Sequence, residues 1–215
     1  MSPAAQLEQG VLALGLDLPL EGREKLLAYA VLLNKWNKTY SLTAMREPEK
    51  AVSHHLLDSL AILPFVPEGK LLDVGSGGGM PGIPVAIARP DLYVTLLDSN
   101  SKKTAFLQQA AIELGLPNIS VHCGRVEQYH PDFDFAAITS RAFSRLADFT
   151  GLSRHLLAPG GRWLAMKGVW PHDEIGQLAT DVRVDTVHRL QVPGVEGARH
   201  LVIMARAALE VSGES

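Results

Sequence analysis

The stretch LLDVGSGGGMPGIP, from Leu71 to Pro84, sets an apolar run and one aspartate ahead of five glycines and two prolines. A buried strand that ends in a tight glycine turn and feeds a helix accommodates all of these residues, and it implies an α/β architecture with a ligand at the turn. Two ligand chemistries compete for such a loop. Gly77, Gly79 and Gly82 satisfy GxGxxG, the pattern of a dinucleotide pyrophosphate site, which wants backbone N–H groups and no carboxylate close by. Asp73, Gly75, Gly77 and Gly79 also satisfy DxGxGxG. A carboxylate at the strand end disfavours a phosphate and favours the ammonium and sulfonium of S-adenosylmethionine. The plain alternative is a turn whose aspartate only caps the next helix.

Asp98 ends the next apolar run, 23 residues after Gly75, where a carboxylate can accept both hydroxyls of a ribose. It supports a nucleoside ligand without choosing one. In GRVEQY, after a third run, Val126 and Glu127 are placed to flank an adenine.

The surrounding pattern agrees. From Lys70 onward short apolar segments alternate with helical ones: LLDV, YVTLLD, ISVHC, FAAIT, RWLAMK, VDTVHRLQV and HLVIMAR read as strands. SKKTAFLQQAAIELG reads as a helix capped by Asn100 or Ser101 and closed by Gly115. The last two strands, joined by VPGVEGARH, most simply pair antiparallel. Before about Val66 the apolar spacing is helical, with Leu26, Tyr29, Leu33 and Trp36 on one face. A further helix is expected from near Pro48 through EKAVSHHLLDSLAIL, stopped by Pro64 and Pro67. The expectation is a class I S-adenosylmethionine-dependent methyltransferase fold, Rossmann-like, seven-stranded with the last strand antiparallel. Residues 1–66 form a helical N-terminal extension and 67–215 the cofactor-binding domain.

Charge limits the partners. Twenty Lys and Arg against 23 acids give a formal charge of -3 and a pI near 6.2, so any nucleic-acid contact must come from a local basic patch. The single cysteine, Cys123, leaves no internal disulfide or cysteine zinc set and fits a reducing, cytoplasmic setting. It is expected to be a small buried residue. The N-terminus has neither signal-peptide nor membrane-span character.

Taken together, NKWNKTYSLTAMREPEK, HHLLDSLAILP, LLDVGSGGGMPGIPVAIARP, VTLLDSNSKKTAFLQ, ITSRAF, LAMKG and LQVPGVEGARHLV are similar in order and spacing to the RsmG (GidB) family of ribosomal RNA small-subunit methyltransferases. The resemblance spans nearly the whole chain. It implies methyl transfer from S-adenosylmethionine to N7 of a guanine in the decoding-region loop of 16S ribosomal RNA. It also implies cofactor contacts from Gly75, Met80, Val126, Glu127 and Arg141. The chain departs from the family at His54 and His55, where relatives often read arginine-histidine, and at Met80, where some carry leucine or phenylalanine.

Guanine N7 has a lone pair and no proton to remove, so a general base is unnecessary and positioning and electrostatics should dominate. The place after strand four reads TSRAF rather than the [DNS]PP[YFW] motif of amine methyltransferases. Arg141 there is expected to clamp the methionine carboxylate or an RNA phosphate, or else to pair with a surface acid such as Asp134. Arg145 and Lys167 share that rim. Lys35, Lys38 and Arg46, interleaved with Trp36 and Tyr40, are candidate RNA contacts, although Trp36 reads as core before platform. His55, with His54, could face the active site, and Lys102 and Lys103 could meet phosphate. The protein is expected to be a monomer without a metal, acting on a small-subunit particle. A small-molecule methyltransferase would predict an apolar lid in place of NKWNK. An NAD-binding oxidoreductase is disfavoured by Asp73.

Overall fold

The computed structural model describes residues 1–43, 50–141, 143 and 145–207. Among these residues seven strands form one sheet in the order β3-β2-β1-β4-β5-β7-β6. They are β1 Lys70–Val74, β2 Tyr93–Asp98, β3 Ile119–Cys123, β4 Phe135–Ser140, β5 Leu157–Lys167, β6 Val182–Arg189 and β7 His200–Arg206. The first five are mutually parallel, and β7 lies antiparallel between β5 and β6. The expected sheet is therefore present, with β5 reaching back to Leu157 through the APGGR turn and β6 ending at Arg189, before Val192.

Among the described residues seven α-helices accompany it: α1 Pro3–Ala13, α2 Leu20–Tyr40, α3 Asp58–Leu60, α4 Gly82–Ala88, α5 Ser101–Glu113, α6 Leu146–Ser153 and α7 His172–Ile175. Period-two alternation sends neighbouring strand residues to opposite layers. Leu71, Leu96 and Leu164 pack with Ile83 of α4 and Phe106 of α5, whereas Leu72, Leu97 and Trp163 pack with Leu146 and Phe149 of α6. The first layer continues without a break into the N-terminal helices, through Leu7, Leu26, Tyr29, Leu33 and Leu57. Trp36 sits half-buried against Phe106, with ring centroids 5.6 Å apart, so it joins this core as its helical register implied. α5 starts and stops as its sequence dictates: the Asn100 side chain accepts from Lys102 N–H and Lys103 N–H, and Gly115 adopts φ +60°.

Two expectations change. The helix anticipated from Pro48, a residue outside the described ones, is π-helical over Val52–Leu57 before turning α-helical in α3. Asp58 N–H bonds back to both Ser53 and His55 carbonyls, the widened turn that marks a π segment. Cys123 is exposed rather than buried, because β3 is an edge strand and Cys123 is its last residue. Among the described residues, no helix is long and apolar enough to cross a membrane.

Candidate active site

The glycine loop leaves β1 and is fixed from three sides. Gly75 and Ser76 N–H donate to the Leu97 carbonyl at 2.8 and 3.1 Å, which ties the loop to β2. Gly77, at φ +56°, donates its N–H to Asp98 Oδ2 at 2.9 Å, a left-handed turn that suits glycine. From the other side the fully buried Tyr29 of α2 donates its hydroxyl to the Gly78 carbonyl at 2.5 Å. Burial of that phenol drives its pKa upward, so it stays a donor.

Asp73 is completely buried. Its Oδ2 accepts the N–H of Gly82, the first residue of α4, at 2.9 Å, while Oδ1 has no hydrogen-bond partner among the described residues. One oxygen thus performs the helix-capping task of the plain alternative, and the second remains available. Burial lifts this carboxyl to about 7, against the lowering influence of the Gly82 N–H and the Arg141 guanidinium. Gly82 allows the approach: a Cβ there would overlap the Leu96 side chain and stand 2.8 Å from Asp73 Oδ2.

Above the carboxyl ends of the parallel strands lies a cavity of about 630 Å³. One end is the loop, with Gly75, Gly77, Met80 and Arg141; the other is Lys167, Gly168, Leu190, Arg199 and His200; His54, His55 and Asp58 form a wall between. The structure thus brings Gly75, Gly77, Met80, Arg141, Lys167, His54 and His55 to one space. Lys103 also lines it. Asp98, Val126 and Glu127 continue outward from the loop rather than lining the cavity: Asp98 carries Gly77 on its carboxylate and accepts Gly124 N–H on its carbonyl, two residues before the buried Val126. Glu127 is exposed beside Arg125. Gly79 and Asp73 lie behind the surface. Lys35, Lys38 and Arg145 are exposed outside the cavity, and Arg46 lies outside the described residues.

Arg141 does not pair with Asp134. Its Nη1 donates to Asp58 Oδ2 and to the His54 carbonyl, both at 3.2 Å, and its Nη2 lies 3.5 Å from Met80 Sδ. The other oxygen of Asp58 accepts Arg199 Nε at 3.1 Å. Lys167 enters the cavity with its charge matched by Glu174, at 2.7 and 3.0 Å, and also donates to the Phe143 carbonyl. Asp58, Arg199 and His200 carried no assignment from the sequence, although all three fall within the segments that carried the family resemblance.

His55 is 5% exposed, and its Nδ1 has no partner among the described residues. Burial, reinforced by the Arg141 charge, lowers its pKa to about 4, so the imidazole is neutral near pH 7. The folded-state value lies below the ordinary 6.5, so the stability tied to this group is present above 6.5 and is lost as pH falls toward 4. His55→Gln is therefore expected to flatten the decline in Tm between pH 6.5 and 4.5; an unchanged profile would show that another group causes it.

A switch-point glycine loop at the carboxyl end of β1, in a seven-stranded sheet with β7 reversed, defines the class I methyltransferase fold. Solved structures agree. A S-adenosylmethionine-dependent methyltransferase from Aquifex aeolicus superposes with TM-score 0.58 at 18% identity over 80% of this chain and 97% of its own. The glycopeptide N-methyltransferase MtfA does so with TM-score 0.62 at 14% identity over 72% and 88%. The family model for rRNA small subunit methyltransferase G (GidB) matches residues 22–202, and the chain belongs to that family. Its relatives include the ribosomal RNA small subunit methyltransferases G of Neisseria meningitidis serogroup A, 56% identical over 96% of this chain and all of that one, and of Chromobacterium violaceum, 56% identical over 93% and 96%. MtfA, which shares this fold, binds S-adenosylmethionine. The residues fit it: the loop presents backbone at close range, and Asp73 Oδ1 is a buried acceptor awaiting a donor.

Proposed function

We propose that the protein methylates N7 of a guanine in the decoding-region loop of 16S ribosomal RNA. The observation that carries this reading is one cavity that joins the glycine loop and Arg141 to a far end bearing Lys167 and Arg199, with Lys103 also in its lining. S-adenosylmethionine supplies a methyl group on a cationic sulfur. Gly75, Gly77 and Met80 hold its methionine end, backed by Gly79, with Arg141 on the carboxylate and Asp73 supplying negative charge behind the loop. Asp98 takes the ribose, and Val126 and Glu127 flank the adenine.

Guanine N7 gives up no proton, so the residues here orient and screen rather than abstract. A neutral His55 and a Lys167 already paired with Glu174 suit a site that needs no base. The cations in the cavity lining favour a phosphate-bearing acceptor over a small apolar one. N7 lies on the groove edge that A-form RNA makes deep and narrow, so the base is reached in an unpaired or distorted loop, within a small-subunit particle. Lys35, Lys38, Arg46 and Arg145 extend the RNA surface beyond the cavity, with Lys167 at its rim, and the N-terminal helices to residue 66 contribute to that surface. The protein acts as a cytoplasmic monomer.

The test compares 16S RNA from cells with and without the intact gene by nuclease digestion and mass spectrometry. One N7-methylguanosine is expected to disappear from the decoding-region loop; unchanged content overturns the acceptor assignment.

A further inference from the structure

Asp58 is 4% exposed in its side chain, yet it bonds two cations that come from distant parts of the chain. Oδ2 meets Arg141, just past β4, at 3.2 Å, and Oδ1 meets Arg199, just before β7, at 3.1 Å. The carboxylate comes from α3, directly after the π-helical turn that also delivers His54 and His55 to the cavity. Both arginine side chains remain more than a quarter exposed, so each is anchored on its inner side and faces the cavity on the other. Arg141 is directed to the loop end, with Nη2 3.5 Å from Met80 Sδ, and Arg199 stands at the far end beside His200.

Two guanidinium groups brought into one cavity with Lys103 repel one another and oppose a cationic methyl donor. A buried carboxylate between them offsets one charge and fixes both orientations through charge-assisted hydrogen bonds. We infer that Asp58 is a positioning residue that couples the two halves of the site: it sets Arg141 toward the methyl donor and Arg199 toward a phosphate of the RNA acceptor. This rests on the reading of the cavity as a donor and an RNA-acceptor site. On this inference the N-terminal helices furnish the carboxylate that aligns the cations of the catalytic domain.

The test uses the full-length protein and its Asp58→Asn, Arg141→Gln and Arg199→Gln variants. Donor affinity is measured by titration calorimetry, and methylation kinetics on small-subunit particles from cells lacking the gene. Arg141→Gln is expected to raise the donor Kd fivefold or more, and Arg199→Gln to raise the KM for particles fivefold or more while leaving the donor Kd within twofold. Asp58→Asn is expected to show both defects, and adding Arg199→Gln to it should raise the particle KM no further than either change alone. A merely structural Asp58 would lower Tm and the fraction of binding-competent protein without moving either constant. Values within twofold of wild type for folded Asp58→Asn, or additive defects in the double variant, would sink the inference. Failure of the wild-type protein to methylate the particles would instead refute the acceptor assignment, while the donor Kd still reports on the Asp58–Arg141 half.

Discussion

Asp73→Asn is expected to weaken S-adenosylmethionine binding by about 1.5 to 3 kcal/mol, roughly 10- to 160-fold in Kd, through loss of the negative charge that stands buried behind the glycine loop. Asparagine keeps an oxygen for the Gly82 N–H, so α4 stays capped and the change isolates the charge. The pH dependence sharpens the test. The folded-state carboxyl titrates at about 7, well above its ordinary 3.8, so a cationic ligand that needs the ionised form should bind more tightly as pH rises from 6 to 8. In the asparagine variant that rise should vanish. Stability should move the other way. A raised carboxyl pKa means that wild-type stability declines as pH climbs from about 4 through 7, so the variant's Tm relative to wild type should be more favourable at pH 8 than at pH 5. Parallel pH profiles for the two proteins in both measurements would show that Asp73 does not bear this charge.

Gly82→Ala is expected to lower stability by about 1 to 3 kcal/mol, a Tm drop of roughly 2 to 12 °C, and to reduce donor affinity more than tenfold. The added methyl meets Leu96 on one side and Asp73 on the other, both fully buried, so neither can yield without moving β1 or β2. The loop and the carboxylate are displaced together. Gly151→Ala in α6 is the control, since a Cβ there meets nothing within 4 Å and alanine suits a helix better than glycine. Its Tm should hold or rise. Equal losses in the two variants, followed by circular dichroism, would refute the packing argument.

Each strand from Lys70 onward was legible because its apolar run is bounded by a turn signal, and Asn100 and Gly115 bracket α5 by local chemistry alone. The loop and its acid were legible because their residues are contiguous. The Asp58 bridge was not: Arg199 lies 141 residues from its partner, and nothing in either local sequence announces the other. The π turn was hidden because the apolar spacing of VSHHLLDSL suits an ordinary helix equally well. Cys123 was misjudged because an apolar strand reads the same at the edge of a sheet as in its middle, and only the strand order reveals the edge. The complete enclosure of Asp73 has its sign in the apolar residues on either side of it, Leu72 and Val74.

The reversed strand divides the construction of the cavity. Parallel strands offer it only the loops that leave them, whereas β7 offers the loop that enters it, between Arg189 and His200. No crossover helix depends on that connection. It carries Leu190 and Arg199 to the far end, while the glycine loop is held separately by β1, β2 and Tyr29. The two ends are therefore anchored by different hydrogen bonds, and a shift at one need not carry the backbone of the other with it.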